Sequence, residues 1–231
     1  MNNKINTTKQ SMALVAGISL IVMAIAAGFG YGYAFQNIYV KGNMSETLLN
    51  LNKFEILFRF FLLSFVIVLV LDVIVAWAFY YYFKEDNEHL SLLASLIRLV
   101  YTALLGISFL SLVNVLQLLK FFPQDGDSIL VQLNTFLGMW SLGLIVFGLH
   151  LILLGYLCFA SGYISKFIGG LAIFAGLCYT LTNVANVVFP SYENYQSTIE
   201  MFLSLPMALG ELTLAVWLVI KGSKLDANSR I

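Results

Sequence analysis

Five ionisable side chains stand inside long apolar runs of this 231-residue chain: Arg59, Asp72, Arg98, His150 and Glu211. Carboxylates and an imidazole can take up and release protons. A guanidinium can clamp a carboxylate or another oxyanion through parallel N–H bonds. Held together, such groups could bind an ion or relay a charge. His150 poses the question most sharply, because it sits among Phe, Leu, Ile and Gly in the stretch FGLHLILLGYLCFASGYISKFIGG.

Spacing separates one of the five from the rest. Arg59 follows Glu55 by four residues, the favoured orientation for a helical ion pair. At the edge of its run it reads as an interfacial pair with a snorkelling head group. Asp72, Arg98, His150 and Glu211 lie on four different runs, each roughly seven to eleven residues in from the same side, a shared depth of roughly 10–16 Å at helical rise. A charge at mid-membrane costs about 2.5–3.5 kcal/mol on insertion scales and turns toward the bundle interior or water. The four are therefore expected to meet in one cluster, with Arg98 as the cation between Asp72 and Glu211, since its planar fork can serve two carboxylates. Ser91, Ser95, Arg98 and Thr102 share one helical face and give that run a polar seam. His150 falls opposite the Gly148 face of its run, so one side can pack while the other presents the imidazole.

A membrane bundle is what must position these groups. The chain is 60% hydrophobic and 10% charged, against roughly a quarter charged in a soluble domain. That is too little polar surface to cover a globule in water, so the lipid bilayer is the implied solvent and partner. Net charge is zero, which provides no basic field for nucleic acid. Six runs reach the roughly 20 apolar residues that a membrane-crossing helix needs: 12–33, 56–83, 92–119, 136–160, 167–189 and 199–220. The predicted fold is all-α, a single six-helix transmembrane domain over residues 1–231. The first run is long for the apolar part of a cleaved leader and is expected to remain as a helix. Lys4, Lys9, Lys84, Lys166, Lys221, Lys224 and Arg230 fall on the side of both termini, against Lys41, Lys53, Arg59 and Lys120 on the other. The excess places both termini in the cytoplasm.

Other features read as packing. Ala24, Gly28 and Gly32 form one small-residue ladder, and Ser141, Gly148 and Gly155 another, of the kind that lets membrane helices approach closely. A milder polar group in the opposite half comprises Asn114, Gln117, Tyr179, Asn183 and Asn186, suited to interhelical hydrogen bonds or to an aqueous vestibule; Tyr101 stands near the cluster. Pro206 frees a backbone carbonyl about one turn before Gly210-Glu211. A shift of 78 residues aligns Asp72 with His150 and LVYT with LCYT, a faint internal repeat. Cys158 and Cys178 stand at different depths and read as two apolar thiols.

Enzyme signatures do not emerge. The chain has no nucleotide-binding glycine loop, no zincin motif and no nucleophile elbow. Its cysteines and histidines have no metal-ligand spacing, and His89 in KEDNEHLS leaves His150 without a second interior histidine for haem. No cofactor is implied.

The stretches LFRFFLLSFVIVLVLDVIVAWAFYY, LIRLVYTALLG, FGLHLILLGYLCFASGYISKFIGG and LGELTLAVWLVIKG resemble a bacterial six-helix membrane family, catalogued as domain-of-unknown-function family 4386. Nearly the whole chain takes part, including all five interior ionisable residues. Ser165 stands where the family pattern usually has proline. The resemblance implies a multi-pass protein of the bacterial cytoplasmic membrane and carries no activity. Three function classes stay open. One is binding or transport of a small molecule, ion or proton at the cluster. Another is a partner-binding membrane protein whose ion cluster serves the fold. The third is an intramembrane enzyme on a lipid-like substrate, with His150 or Glu211 as base.

Overall fold

The computed structural model describes residues 2–224, with side chains from Lys9 onward apart from those of Glu193 and Glu200. Of the basic residues counted for orientation, Arg230 and the side chain of Lys4 lie outside the described residues. The described chain is helical: α1 (Asn2–Ala27), a π-helical segment (Gly28–Phe35), α2 (Gln36–Ile38), α3 (Met44–Lys53), α4 (Glu55–Phe121), α5 (Gly126–Ser161), α6 (Lys166–Val188) and α7 (Glu193–Ile220), with short 3-10 turns at Pro190–Tyr192 and Gly222–Lys224. Five of its helices are long and apolar enough to cross a membrane, where six runs were expected from the sequence.

The difference lies in α4. Its 67 residues would extend about 100 Å if straight, against a hydrocarbon core of about 30 Å. It is not straight. Asn87 has extended backbone angles (φ −161°, ψ 100°), and its Oδ1 accepts the Leu90 N–H at 3.0 Å. The side chain thus caps the second arm within one residue of the end of the first. The arms then run back along each other. Ser91 Oγ donates to the carbonyls of Phe79 and Tyr80. Two apolar runs become one folded-over helix because the charged residues of KEDNEHLS are good helix formers and wind up to the break from both sides. Two further differences are local. α5 starts at Gly126, ahead of the expected 136, capped by Asp125 accepting the Ser128 N–H. The expected connection before residue 55 contains α3, capped by Asn43 and carrying Glu46 in its first turn.

Apolar side chains cover the outside of the bundle. Leu14, Ile18, Val22 and Ile25 on α1 and Val66, Val70, Val73 and Trp77 on α4 are all exposed, at the three- and four-residue steps of one helical face. A contiguous apolar exterior of this extent has lipid as its natural solvent. Inside, α5 and α6 meet through glycine. A Cβ on Gly148 would come within 2.6 Å of the Gly176 carbonyl, and one on Gly155 within 2.5 Å of the Gly169 carbonyl. Ser141, one further step along that ladder, donates to Asn183 Oδ1 at 2.8 Å. The other ladder behaves differently: Ala24, Gly28 and Gly32 are exposed, and added Cβ atoms at the two glycines meet nothing. The close approach to α4 is made instead by the π-helical segment at Gly30, where a Cβ would collide with Ser64.

One end of the bundle collects the start of α1, the Asn87 break, the α5–α6 connection and the end of α7. Lys9 Nζ lies 3.0 Å from Asp86 Oδ2, and Tyr163 Oη donates to the same oxygen at 2.7 Å. The ammonium also stands over the Tyr163 ring, 4.6 Å from its centre. Gly222 lies against Trp217 and Tyr82. At the opposite end Tyr39 Oη donates to Asn134 Oδ1 at 2.8 Å.

These contacts fix opposite outcomes for one substitution. Gly148→Ala should lower stability by about 1–3 kcal/mol, the usual cost of overpacking, despite the better helix propensity of alanine. Gly28→Ala should be neutral or stabilising by up to about 1 kcal/mol. Thermal unfolding of both variants in mild detergent, followed by circular dichroism, checks this; equal melting temperatures would remove the glycine contact as the reason for the α5–α6 approach.

Candidate functional site

Asp72, Arg98, His150 and Glu211 come together around one guanidinium. The hairpin of α4 sets Asp72 opposite Arg98. Arg98 Nε donates to Asp72 Oδ1 at 2.9 Å. Nη2 lies 2.7 Å from the same oxygen, off the line of an N–H bond, and Asp72 Oδ2 takes no hydrogen bond. Nη1 donates to Glu211 Oε1 of α7 and to His150 Nε2 of α5, the latter at 3.1 Å. The rings of Phe79 and Phe147 stand 6.0 and 5.7 Å from the guanidinium carbon and close the site with apolar walls. Asp72, Arg98 and His150 are fully buried. Glu211 is the member that reaches out, its side chain 16% exposed.

The hydrogen bonds assign the state of His150. Its Nδ1 lies 2.9 Å from the Ala94 carbonyl, which can only accept. Its Nε2 faces a guanidinium, which can only donate. The ring is therefore neutral with the proton on Nδ1, and both nitrogens are used. The opposite face of α5 at this level carries Gly148 against α6, so packing and polar contact divide the helix. Glu211 reaches Arg98 because α7 sits tight against α6 just before it: a Cβ on Gly210 would come within 2.3 Å of Ala175 Cβ. Pro206, within α7 and about one turn earlier, removes a backbone donor there.

Two carboxylates, one guanidinium and a neutral imidazole leave the cluster one negative charge in excess when both acids are ionised. In a low-dielectric interior that excess is costly, and a proton or a bound cation is the ordinary remedy. The arrangement is chemically suited to hold a small positive charge between Asp72 and Glu211. Among the described residues no three His, Cys, Asp or Glu side chains converge on a metal position.

The milder polar residues divide between places. Asn183 accepts from Ser141 and donates to the Tyr179 carbonyl, and Asn186 donates to Ser141 Oγ at 3.0 Å, so these three bind α5 to α6. Asn114 is exposed and pairs with Gln132 at 3.4 Å, apart from that network. The side chains of Tyr101 and Tyr179 belong to neither. Their rings bracket Phe147 at 4.8 and 5.3 Å, one shell out from Arg98. Cys158 and Cys178 are buried free thiols.

A family model described as "Domain of unknown function (DUF4386)" matches residues 15–222. The chain belongs to this family. The matched range contains the whole cluster and both arms of α4. A protein of Archaeoglobus fulgidus, described only as uncharacterized, is 31% identical over 160 residues, which is 69% of this chain and 82% of that one. No solved structure matches.

Two features of this DUF4386 chain carry no mark in the sequence. The Ala94 carbonyl is one, since a backbone acceptor has no side-chain signature. The other is the Lys9–Asp86–Tyr163 group; its nearest signal was the acid-rich KEDNEHLS segment, which on its face is a solvated turn. Arg59 makes the exposed pair with Glu55 that its spacing indicates, at 2.6 Å.

The charge count orders the effects of substitution. Arg98→Gln leaves the buried Asp72 and the partly buried Glu211 with no cation and should cost about 3–5 kcal/mol. Glu211→Gln leaves the neutral Asp72–Arg98 pair and should cost less than about 1 kcal/mol. Arg59→Gln, in the exposed pair, should fall within about 0–1 kcal/mol. Melting temperatures of the three variants test the order; an Arg98→Gln protein as stable as Arg59→Gln would contradict the geometry.

Proposed function

We propose that this protein spans the membrane six times, with both termini in the cytoplasm, and that it binds a small charged species at the Arg98 cluster and passes it across the bilayer. The Asn87 break supports counting the arms of α4 as two spans. The distribution of Lys and Arg supports the orientation, and the apolar exterior with the family resemblance supports a bacterial cytoplasmic membrane as its location. The ligand is a small molecule, an ion or a proton.

One observation carries the functional reading. Four ionisable groups from four helical arms share one depth, three of them fully buried and the fourth reaching an exposed edge. Intramembrane ionisable residues are expensive, and a site that opens on one side is what a binding step requires. A second reading keeps the same geometry and assigns it to the fold. Asp72 Oδ1 and both His150 nitrogens are already paired inside the cluster, as a purely structural network would have them. The enzymatic reading has less support: His150 has no free lone pair with which to act as a base, and among the described residues no metal-ligand set stands beside Glu211 to activate a substrate.

Transport is tested in proteoliposomes carrying imposed gradients of pH, sodium or potassium. Wild-type protein should dissipate one of these about tenfold or more faster than Glu211→Gln, corresponding to about 1.4 kcal/mol or more in the barrier. Identical rates in the two folded proteins for every gradient would favour the structural reading. Topology is tested with single introduced cysteines and an impermeant maleimide. Labels at positions 88 and 162 should react only from the cytoplasmic side, and labels at 42 and 124 only from outside; 88 and 42 reacting from one side would overturn the six-span arrangement.

A further inference from the structure

We propose that the charged species held at the cluster is a small organic ammonium, and that it enters through the half of the bundle away from the Lys9–Asp86–Tyr163 group. This rests on reading the cluster as a ligand site. It names the chemical class of the ligand and the side of entry.

Exposure along the helices gives the side. Leu214, Ala215 and Leu218 follow Glu211 at three-, four- and seven-residue steps, so the four share one face of α7. The last three are fully buried, whereas the Glu211 side chain is 16% exposed. In the other direction along that face Met207 is partly exposed and Ser204 is exposed. α6 repeats the gradient in four-residue steps: Ala175 is fully buried, and Tyr179 and Asn183 are partly exposed. The end beyond Leu218 is closed by Lys9, Asp86 and Tyr163, joined through one carboxylate oxygen. The approach to Glu211 therefore runs through the far half, which is the outer half in the proposed topology.

Charge gives one part of the ligand class. Arg98 gives Asp72 and Glu211 one hydrogen bond each, and among the described residues neither acid has an ion pair with any other cation. With both acids ionised, the second negative charge is left for a cation from outside the chain. Asp72 is fully buried, and its Oδ2 takes no hydrogen bond, so an acceptor is left over for an N–H donor. The walls give the other part. The Tyr101 and Tyr179 rings flank Phe147, and Tyr179 stands within electrostatic reach of Glu211. The Trp140 indole approaches the Tyr101 phenol and meets the Tyr31 ring edge-on, 4.5 Å between centres. Aromatic faces beside carboxylates attract an organic cation and accommodate its carbon body. A bare metal ion needs several oxygen ligands instead, and no set of three ligating side chains converges here among the described residues.

Isothermal titration of the full chain in mild detergent tests the class, with benzylammonium chloride as probe and benzyl alcohol as its neutral counterpart. Wild-type protein should bind benzylammonium saturably and about tenfold or more tighter than benzyl alcohol. Glu211→Gln should weaken benzylammonium by a similar factor. Tyr179→Leu should weaken it about threefold, with Tyr179→Phe close to wild type. Melting temperatures establish that each variant is folded, and the comparison of the two probes needs no variant. No saturable benzylammonium binding, equal binding of both probes, or unchanged affinity in Glu211→Gln would overturn the proposal. The side is tested with Met207→Cys. A cationic methanethiosulfonate should modify it in intact spheroplasts, and benzylammonium should slow the reaction; modification only in inverted vesicles would overturn the side of entry. Benzylammonium should also slow the Glu211-dependent flux, because it occupies the same acids. Flux that depends on Glu211 without any benzylammonium binding would leave the cluster as a ligand site and remove the organic cation from it. Neither flux nor binding would remove both readings together.

Discussion

A guanidinium with no access to water sets the terms for the rest of this protein. Arg98 has lost its hydration and must regain it from other atoms. Asp72, Glu211 and His150 supply those atoms from the other arm of α4, from α7 and from α5. Each supplier constrains its own helix. Asp72 requires α4 to fold back on itself in a register that sets it across from Arg98. His150 requires α5 to turn its glycine face away. Glu211 requires α7 to stand close enough to reach, which Gly210 permits.

The same requirement separates two kinds of adhesion in the bundle. Between α5 and α6 the contact is dispersion between backbones, made possible by Gly148, Gly155, Gly169 and Gly176. Between α4, α5 and α7 it is ionic and directional. Dispersion brings helices near, and the ion cluster decides which residues lie opposite each other. A cluster that fixes register and, with both acids ionised, carries one uncompensated negative charge has reason to be more than a fastener, because a structural pair needs only one acid for one base.

Much of this was legible in the sequence because charge in an apolar run is rare and depth along a helix is simple arithmetic. Four interior groups at one depth had to find one another, and the His150 and Gly148 faces followed from helical periodicity. The pairing of Arg59 with Glu55 followed from a four-residue step. The reversal at Asn87 was not legible as such: KEDNEHLS has the composition of a loop, yet its residues also favour helix, and the turn was compressed into one asparagine. The ladder of Ala24, Gly28 and Gly32 misled for a related reason. Small residues permit close approach without compelling it, and here Gly30, two residues off the pattern, makes the contact. The Ala94 carbonyl escaped notice because every residue has one, and only the fold says which lies beside an imidazole.

The account stands on Arg98 being shared between two carboxylates that do not touch each other. A double-mutant cycle of unfolding free energy between Asp72→Asn and Glu211→Gln measures that sharing. Either single change leaves the guanidinium one carboxylate, and the double change leaves it none, so the double variant should be destabilised beyond the sum of the singles by about 1 kcal/mol or more. Additive effects would mean that the two acids act independently, and would contradict a common cluster.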